Sequence, residues 1–151
     1  MGCDSHGGHG IAPEHLLASL KIGDAVIDGE HERLFGELYR LRQQMLEGEA
    51  GSGGRSGFQA TLGAIGGAMM AHFEHEERFL ASLGMPASEV QSHLGAHREI
   101  VHQYAELNLR LLQEPSLDSE AVLTMVQEWI FYHLIRHDLK MRPYVALMNS
   151  D

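Results

Sequence analysis

HFEHEERFLASLGMPASEVQSHLGAH, residues 72–97, is the stretch whose reading decides the fold. It holds two pairs of metal-ligand residue types, His72 with Glu76 and His93 with His97. Members of each pair are four residues apart, so on a helix both side chains leave the same face about one turn apart. Gly84 and Pro86 punctuate the segment between the pairs and turn the chain back. Two helices that reverse there can face one another across a shared site. Hard or borderline divalent metals take imidazole nitrogens and carboxylates that converge in this way from rigid elements.

The pattern extends outward from both pairs. Upstream, Leu62, Ile65 and Met69 lead into His72 and Glu76, and Leu80 and Leu83 follow, which predicts a helix over about residues 58–83. Gly63, Gly66 and Gly67 lower its propensity and point to close approach of a neighbouring helix. Downstream, Val90, His93 or Leu94, His97, Val101 and Tyr104 predict a helix over about 87–113, stopped by Pro115. Ser116 or Asp118 can cap the next helix, which carries Val122, Met125 or Val126, Trp129, Ile130, His133 and Leu134 on one side and runs to about Met141. Asp138 follows His133 by five residues, and Pro143 is expected to disrupt the helix beyond.

Before residue 58 the Gly/Ser-rich stretch Glu47–Gly57 reads as a flexible link. Asp28 is the expected N-cap of a first long helix with Ile27, Leu34, Phe35, Leu38, Leu41 or Arg42, and Met45 on its apolar face. His31 lies on that stripe. His15–Ile22 is a short apolar segment that packs as an arm, and residues 1–12 read as flexible. No stretch alternates with period two long enough for a strand. The economical fold is all-α: an antiparallel up-down-up-down four-helix bundle over residues 13–151, with an N-terminal arm and a short C-terminal extension.

Composition closes off several classes of function. A formal net charge of −10, with 11 Lys and Arg against 21 Asp and Glu, argues against a nucleic-acid partner, because no basic excess is left to neutralise phosphates. No apolar run approaches the roughly 20 residues that span a bilayer, so no membrane partner is expected. Cys3 is the only cysteine, so no intramolecular disulfide forms, and a reducing cytoplasmic location is expected. The opening MGCDSHGGHG lacks the apolar core of a signal peptide. His6 stands where an acylation signal wants Ser or Thr, and the Gly/His mixture at residues 6–10 is assigned no function.

Taken singly the ligand motifs are weak. The same chain offers His133 with His137 and His102 with Glu106 at identical spacing, and eleven histidines produce such pairs by chance. Taken together they are stronger, because each of the four expected helices places an ionisable ligand-type residue on its core-facing stripe. Burying such groups unpaired costs on the order of several kcal/mol each. No lysine or arginine lies near them on those faces. A shared metal satisfies them all.

The set His31, His72 with Glu76, His93 with His97, and His133 with Asp138 resembles the haemerythrins, especially single-domain bacteriohaemerythrins. The surrounding text is similar too: IDGEHERLF around His31, HFEHEERFL around His72 and WIFYHLIRHD leading to Asp138, over roughly residues 20–147. The resemblance implies two iron ions (Fe2+/Fe3+) with an oxo or hydroxo bridge. His93, His97 and His133 would hold one iron, His31 and His72 the other, and Glu76 and Asp138 would bridge them. The second iron then keeps an open position for dioxygen, bound reversibly as a peroxide for storage, delivery or sensing. On a continuous helix Asp138 sits about 140° around from His133, which lets the histidine reach one iron while the carboxylate spans both. Ile130 and Leu134 are expected to form an apolar wall of the oxygen pocket, and Trp129 to pack core. Glu74, His75 and Glu77 are candidates for supporting the ligands from behind or for facing solvent, with solvent favoured for all three, and His137 is not counted among the ligands. Two positions depart from the family: the arm, Ala18 to Gly23, has no tryptophan, and Met141 stands where many members carry tyrosine.

A binding protein rather than an enzyme is the leading expectation; no protein partner is named by the sequence. The rival is a di-iron enzyme that reduces peroxide or nitric oxide or activates oxygen. Ferritin-like oxidases use Glu-x-x-His motifs on two helices. Here one such motif occurs, Glu99 to His102, with Glu99 about 200° around the helix from His97. Iron–sulfur repair usually needs a cysteine pair that a lone Cys3 does not supply, and a phosphohydrolase reading of His137-Asp138 leaves the other pairs unexplained.

Overall fold

A computed structural model describes residues 18–48, 54–114 and 117–150. Among the described residues the structure is all helical, with no strand. Helix α1 spans Ala25–Gly48, α2 Gly54–Ser82 and α3 Ala87–Gln113. The fourth arm of the bundle is composite: α4 (Ser119–Gln127), a wider π-helical turn (Glu128–Tyr132), α5 (His133–Arg136), a 3₁₀ turn (Asp138–Met141) and α6 (Arg142–Met148). No described helix is long and apolar enough to cross a membrane. The expected flexible N-terminus (1–12), the first residues of the arm (15–17), the centre of the Gly/Ser link, and the Pro115 stop with its Ser116 cap lie outside the described residues.

The first helix starts earlier than expected. Gly23, at φ +104°, turns the chain, and Asp24 accepts a hydrogen bond from the Ile27 backbone N–H at 3.0 Å. Asp24 therefore caps α1. Asp28 lies inside the first turn instead and reaches back to accept from Ile22 N at 2.8 Å and Gly23 N at 3.1 Å. The arm is thereby fastened to the helix it precedes.

The apolar stripe expected for α2 is buried from Leu62 through Ile65, Met69, His72, Glu76 and Leu80 to Leu83. On α3 the stripe runs His93, His97, Ile100 and Leu107; Val101, expected on it, is 36% exposed, because a 3.6-residue period places Ile100 under His97. Of the three α2 glycines expected at a close approach, Gly66 alone is one. A Cβ there would collide with the Tyr104 ring of α3, whereas Gly63 and Gly67 face open space. The Tyr104 hydroxyl donates to the Leu62 carbonyl at 3.4 Å, so the ring lies across the α2 backbone.

Two apolar clusters flank a polar middle. The larger contains Leu34, Phe35, Leu38, Leu62, Val126 and Trp129 among others. The smaller joins Ile22 and Ile27 to Leu80, Leu83, Met85, Met141 and Val145. Pro143, expected to disrupt the last helix, opens α6 instead, where its missing N–H is unneeded. Arg142 then donates from Nε to the Lys21 carbonyl at 2.6 Å and from Nη2 to the Ser19 carbonyl, tying the C-terminal extension to the arm.

Candidate metal centre

Between the two clusters, α1 contributes His31, α2 His72 and Glu76, α3 His93 and His97, and the composite fourth arm His133 and Asp138. All seven side chains come together, and none is more than 5% exposed. The route by which Asp138 arrives was not expected. The π-helical turn ends at Tyr132, and at His137 (φ −118°, ψ −54°) the helix passes into a 3₁₀ turn. No continuous helix joins His133 to Asp138, and the change of pitch brings Asp138 Oδ1 to 3.1 Å from His133 Nε2. A π-helical turn beside a functional cluster is a recurrent device for re-aiming side chains.

The ligand-type atoms form two sets, each with all its atoms within 4.8 Å of one another. One is Glu76, His93, His97, His133 and Asp138; the other is His31, His72, Glu76 and Asp138. Glu76 and Asp138 belong to both. His31 and His72 point their Nε2 atoms at each other at 3.1 Å. Around the shared carboxylates, Glu76 lies 2.6 Å from His93 Nε2 and 3.0 Å from His72 Nε2. Asp138 lies 2.9 Å from His93 Nε2 and 3.1 Å from His31 Nε2.

These distances are short, yet the groups do not satisfy one another. Both nitrogens of His93 and of His133, Nδ1 of His31, Glu76 Oε2 and Asp138 Oδ1 are buried without a hydrogen bond. Their close contacts with one another lack hydrogen-bond geometry. Leaving so many buried polar atoms unpaired is costly in an apolar bundle. A cation within each set, at bond lengths of about 2.1 Å, would satisfy the inward-facing atoms among them, Nε2 of His93 and His133, Glu76 Oε2 and Asp138 Oδ1, so the residues fit metal ions.

Electrostatics in the metal-free chain report the same crowding. Burial alone would lower His31 and His93, but the close carboxylates of Asp138 and Glu76, which favour the charged imidazolium, outweigh it and raise both to about 9. His133 rises for the same reasons. His97 goes the other way: burial, aided by the charges of His133 and His93, lowers it against the raising effect of Glu76. Burial and mutual repulsion would raise Asp138, and burial would raise Glu76. The close imidazoles of His133, His31 and His93, with His72 added at Glu76, hold both carboxyls well below their usual range.

Three residues around the ligands were missed or misassigned by sequence reasoning. Glu30 accepts from Nδ1 of both His72 (3.1 Å) and His75 (3.0 Å). Glu77, expected to face solvent, lies 3.4 Å from His97 Nδ1 while remaining 41% exposed. His75, also expected in solvent, is half-buried on Glu30. The available signal was chemical rather than periodic: a metal-bound histidine needs an acceptor for its second nitrogen. Glu74 does face solvent, paired with Arg78 at 3.7 Å. Phe73 stacks on the His97 ring at 4.0 Å.

Ile130 and Leu134 are buried in the larger cluster, as is Trp129, whose Nε1 donates to Gln103 at 2.7 Å. His137 belongs to neither ligand set; its ring lies 5.2 Å from that of His133 and 5.6 Å from that of His93. It lines a polar cavity of about 210 Å³ together with Ser88, Glu89, Ser92, His93 and Lys140.

Residues 23–145 match a family profile described as Hemerythrin HHE cation binding domain. Among curated proteins, Bacteriohemerythrin of Campylobacter jejuni is 23% identical over 125 residues, an alignment covering 83% of this chain and 90% of that protein. No solved structure matches the chain.

Proposed function

This chain belongs to the haemerythrin family, and from that premise we propose that it is a non-haem di-iron protein that binds dioxygen reversibly. The observation that carries the proposal is the inequality of the two ligand sets. They share Glu76 and Asp138, but one adds three imidazoles and the other only two, His31 and His72. The two-imidazole ion is left with room for an exogenous ligand. Two iron ions held there supply reversible two-electron chemistry toward dioxygen.

The chain's own residues do the rest. Glu76 and Asp138, common to both sets, would be the carboxylates shared by the two ions. His93, His97 and His133 would hold one ion, and His31 and His72 the other with fewer donors. Burial of all seven side chains keeps the ions out of bulk water. We assign Ile130 and Leu134, buried on either side of His133, to the apolar wall that limits water access. We read the helices as an up-down-up-down antiparallel bundle over residues 13–151. The short turn at Leu83–Pro86, with Gly84 at φ +74°, favours reversed neighbours. A binding role rather than turnover is supported by a ligand set rich in imidazole and poor in carboxylate, unlike that of ferritin-like oxidases.

Metal analysis and an anaerobic oxygen titration test the proposal. The expected result is about two irons per chain, on the usual check of ligand count. The reduced protein should be colourless and gain a charge-transfer absorption band with oxygen that disappears on deoxygenation. Direct oxidation without an oxygenated form at any mixing time would overturn the proposal, as would steady turnover of peroxide or nitric oxide with an added reductant.

A further inference from the structure

We infer that Glu30 and Glu77 are positioning residues, one for each metal of the centre, so that the two ions can be loosened separately. The inference rests on the di-iron reading above. It starts from an uneven distribution of hydrogen bonds among the five ligand histidines. The Nδ1 atoms of His31, His93 and His133 are buried without a hydrogen-bond partner. Those of His72 and His97 each meet a carboxylate, Glu30 at 3.1 Å and Glu77 at 3.4 Å. His72 belongs to the two-imidazole set and His97 to the three-imidazole set. Each ion therefore receives one imidazole whose outer nitrogen is held by a carboxylate.

The braces also cross between helices. Glu30 sits on α1 beside His31 and holds a ligand of α2; Glu77 sits on α2 beside Glu76 and holds a ligand of α3. A carboxylate that accepts the Nδ1 proton fixes the ring tautomer, aims Nε2 at the metal and makes it a better donor. The two braces are unequal. Glu30 is shorter in contact and held from outside by His75, which donates to the same Oε1 at 3.0 Å. Glu77 has the longer contact and sits at the rim of a surface cavity lined by Met70, Phe73 and Arg98. The Glu30 brace should be the stronger.

The full chain is loaded with ferrous iron without oxygen, and iron release to an excess of ferrous chelator is followed in the unaltered protein and in Glu30→Ala, Glu30→Gln and Glu77→Ala. X-ray absorption counts imidazoles on the iron that remains when half has left. In Glu30→Ala one iron should be held about 10–100-fold more weakly, and the remaining iron should show three imidazoles. In Glu77→Ala the other iron should loosen by a smaller factor, and the remaining iron should show two. Glu30→Gln, whose amide oxygen still accepts from Nδ1, should recover part of the loss, and metal-free melting temperatures should stay together. Equal loosening of both irons in each variant overturns the inference, as does no change in either. If the unaltered chain retains fewer than two irons, the di-iron reading itself fails and takes this assignment with it.

Discussion

Loading metal into this site should expel protons, and their number follows from the geometry. In the metal-free chain Asp138 and Glu76 raise His31 and His93 to about 9 against the lowering effect of burial. An imidazole in the unfolded chain ionises near ~6.5. At about pH 7.5 the folded metal-free protein thus carries protons on His31 and His93 that a metal must displace, since it takes neutral imidazole. These two residues release about two protons per chain, and His133, also raised, adds its share. Combined affinity for the two ions should rise roughly 100-fold per pH unit below about pH 9 and level off above it. Stability of the metal-free fold runs the opposite way. Folded pKa values above the unfolded ones stabilise fully below about pH 6.5, and that stabilisation fades as pH climbs through 9. The depressed carboxyls, Glu76 and Asp138, stabilise above their unfolded values of about 4 and lose that only in acid, so they do not offset the trend. A pH-stat titration with ferrous iron under nitrogen, at pH 7.5 and 9.5, reads the count directly. Protons from metal-bound water appear at both values and cancel in the difference. An equal count at the two pH values would refute the reasoning.

Other outcomes follow from the same structure. Glu76→Ala, at a carboxylate shared by both ligand sets, should abolish binding of both ions rather than one; retention of both, by metal analysis, would sink its role as a bridge. Gly66→Ala should destabilise the fold by about 1–3 kcal/mol despite alanine's better helix propensity, because the Tyr104 ring must move; a denaturant midpoint shifted upward would contradict this. His137→Ala should leave both metals bound, as its ring belongs to neither set, and loss of one iron would make it a ligand.

The legible part of this molecule was the part governed by period. From Leu62 to Leu83 every expected stripe residue of α2 is buried, and the seven ligand-type residues meet because each lies on such a stripe or near its end. What was not legible depends on local choices that periodicity does not weigh. Asp24 and Asp28 are both good caps, and the turn at Gly23 selects the earlier one. The π-helical and 3₁₀ turns flanking His133 lie in a sequence with no Gly or Pro between Gln127 and Met141 to announce them. Glu30 and Glu77 occupy flanks that a helical wheel gives to solvent. Their contacts follow from what an imidazole requires of its second nitrogen.

The two guanidinium hydrogen bonds of Arg142 tie the segment that follows Asp138 to the N-terminal arm. Asp138 is carried by a single turn whose continuation, Met141 and Val145, is clamped with Ile22 and Ile27, while Arg142 grips the carbonyls of Ser19 and Lys21. Segments more than a hundred residues apart in sequence thus meet beside the turn that carries Asp138, which belongs to both ligand sets. Arg142→Ala should therefore weaken metal retention although it alters no ligand-type residue; iron content unchanged by metal analysis would refute this.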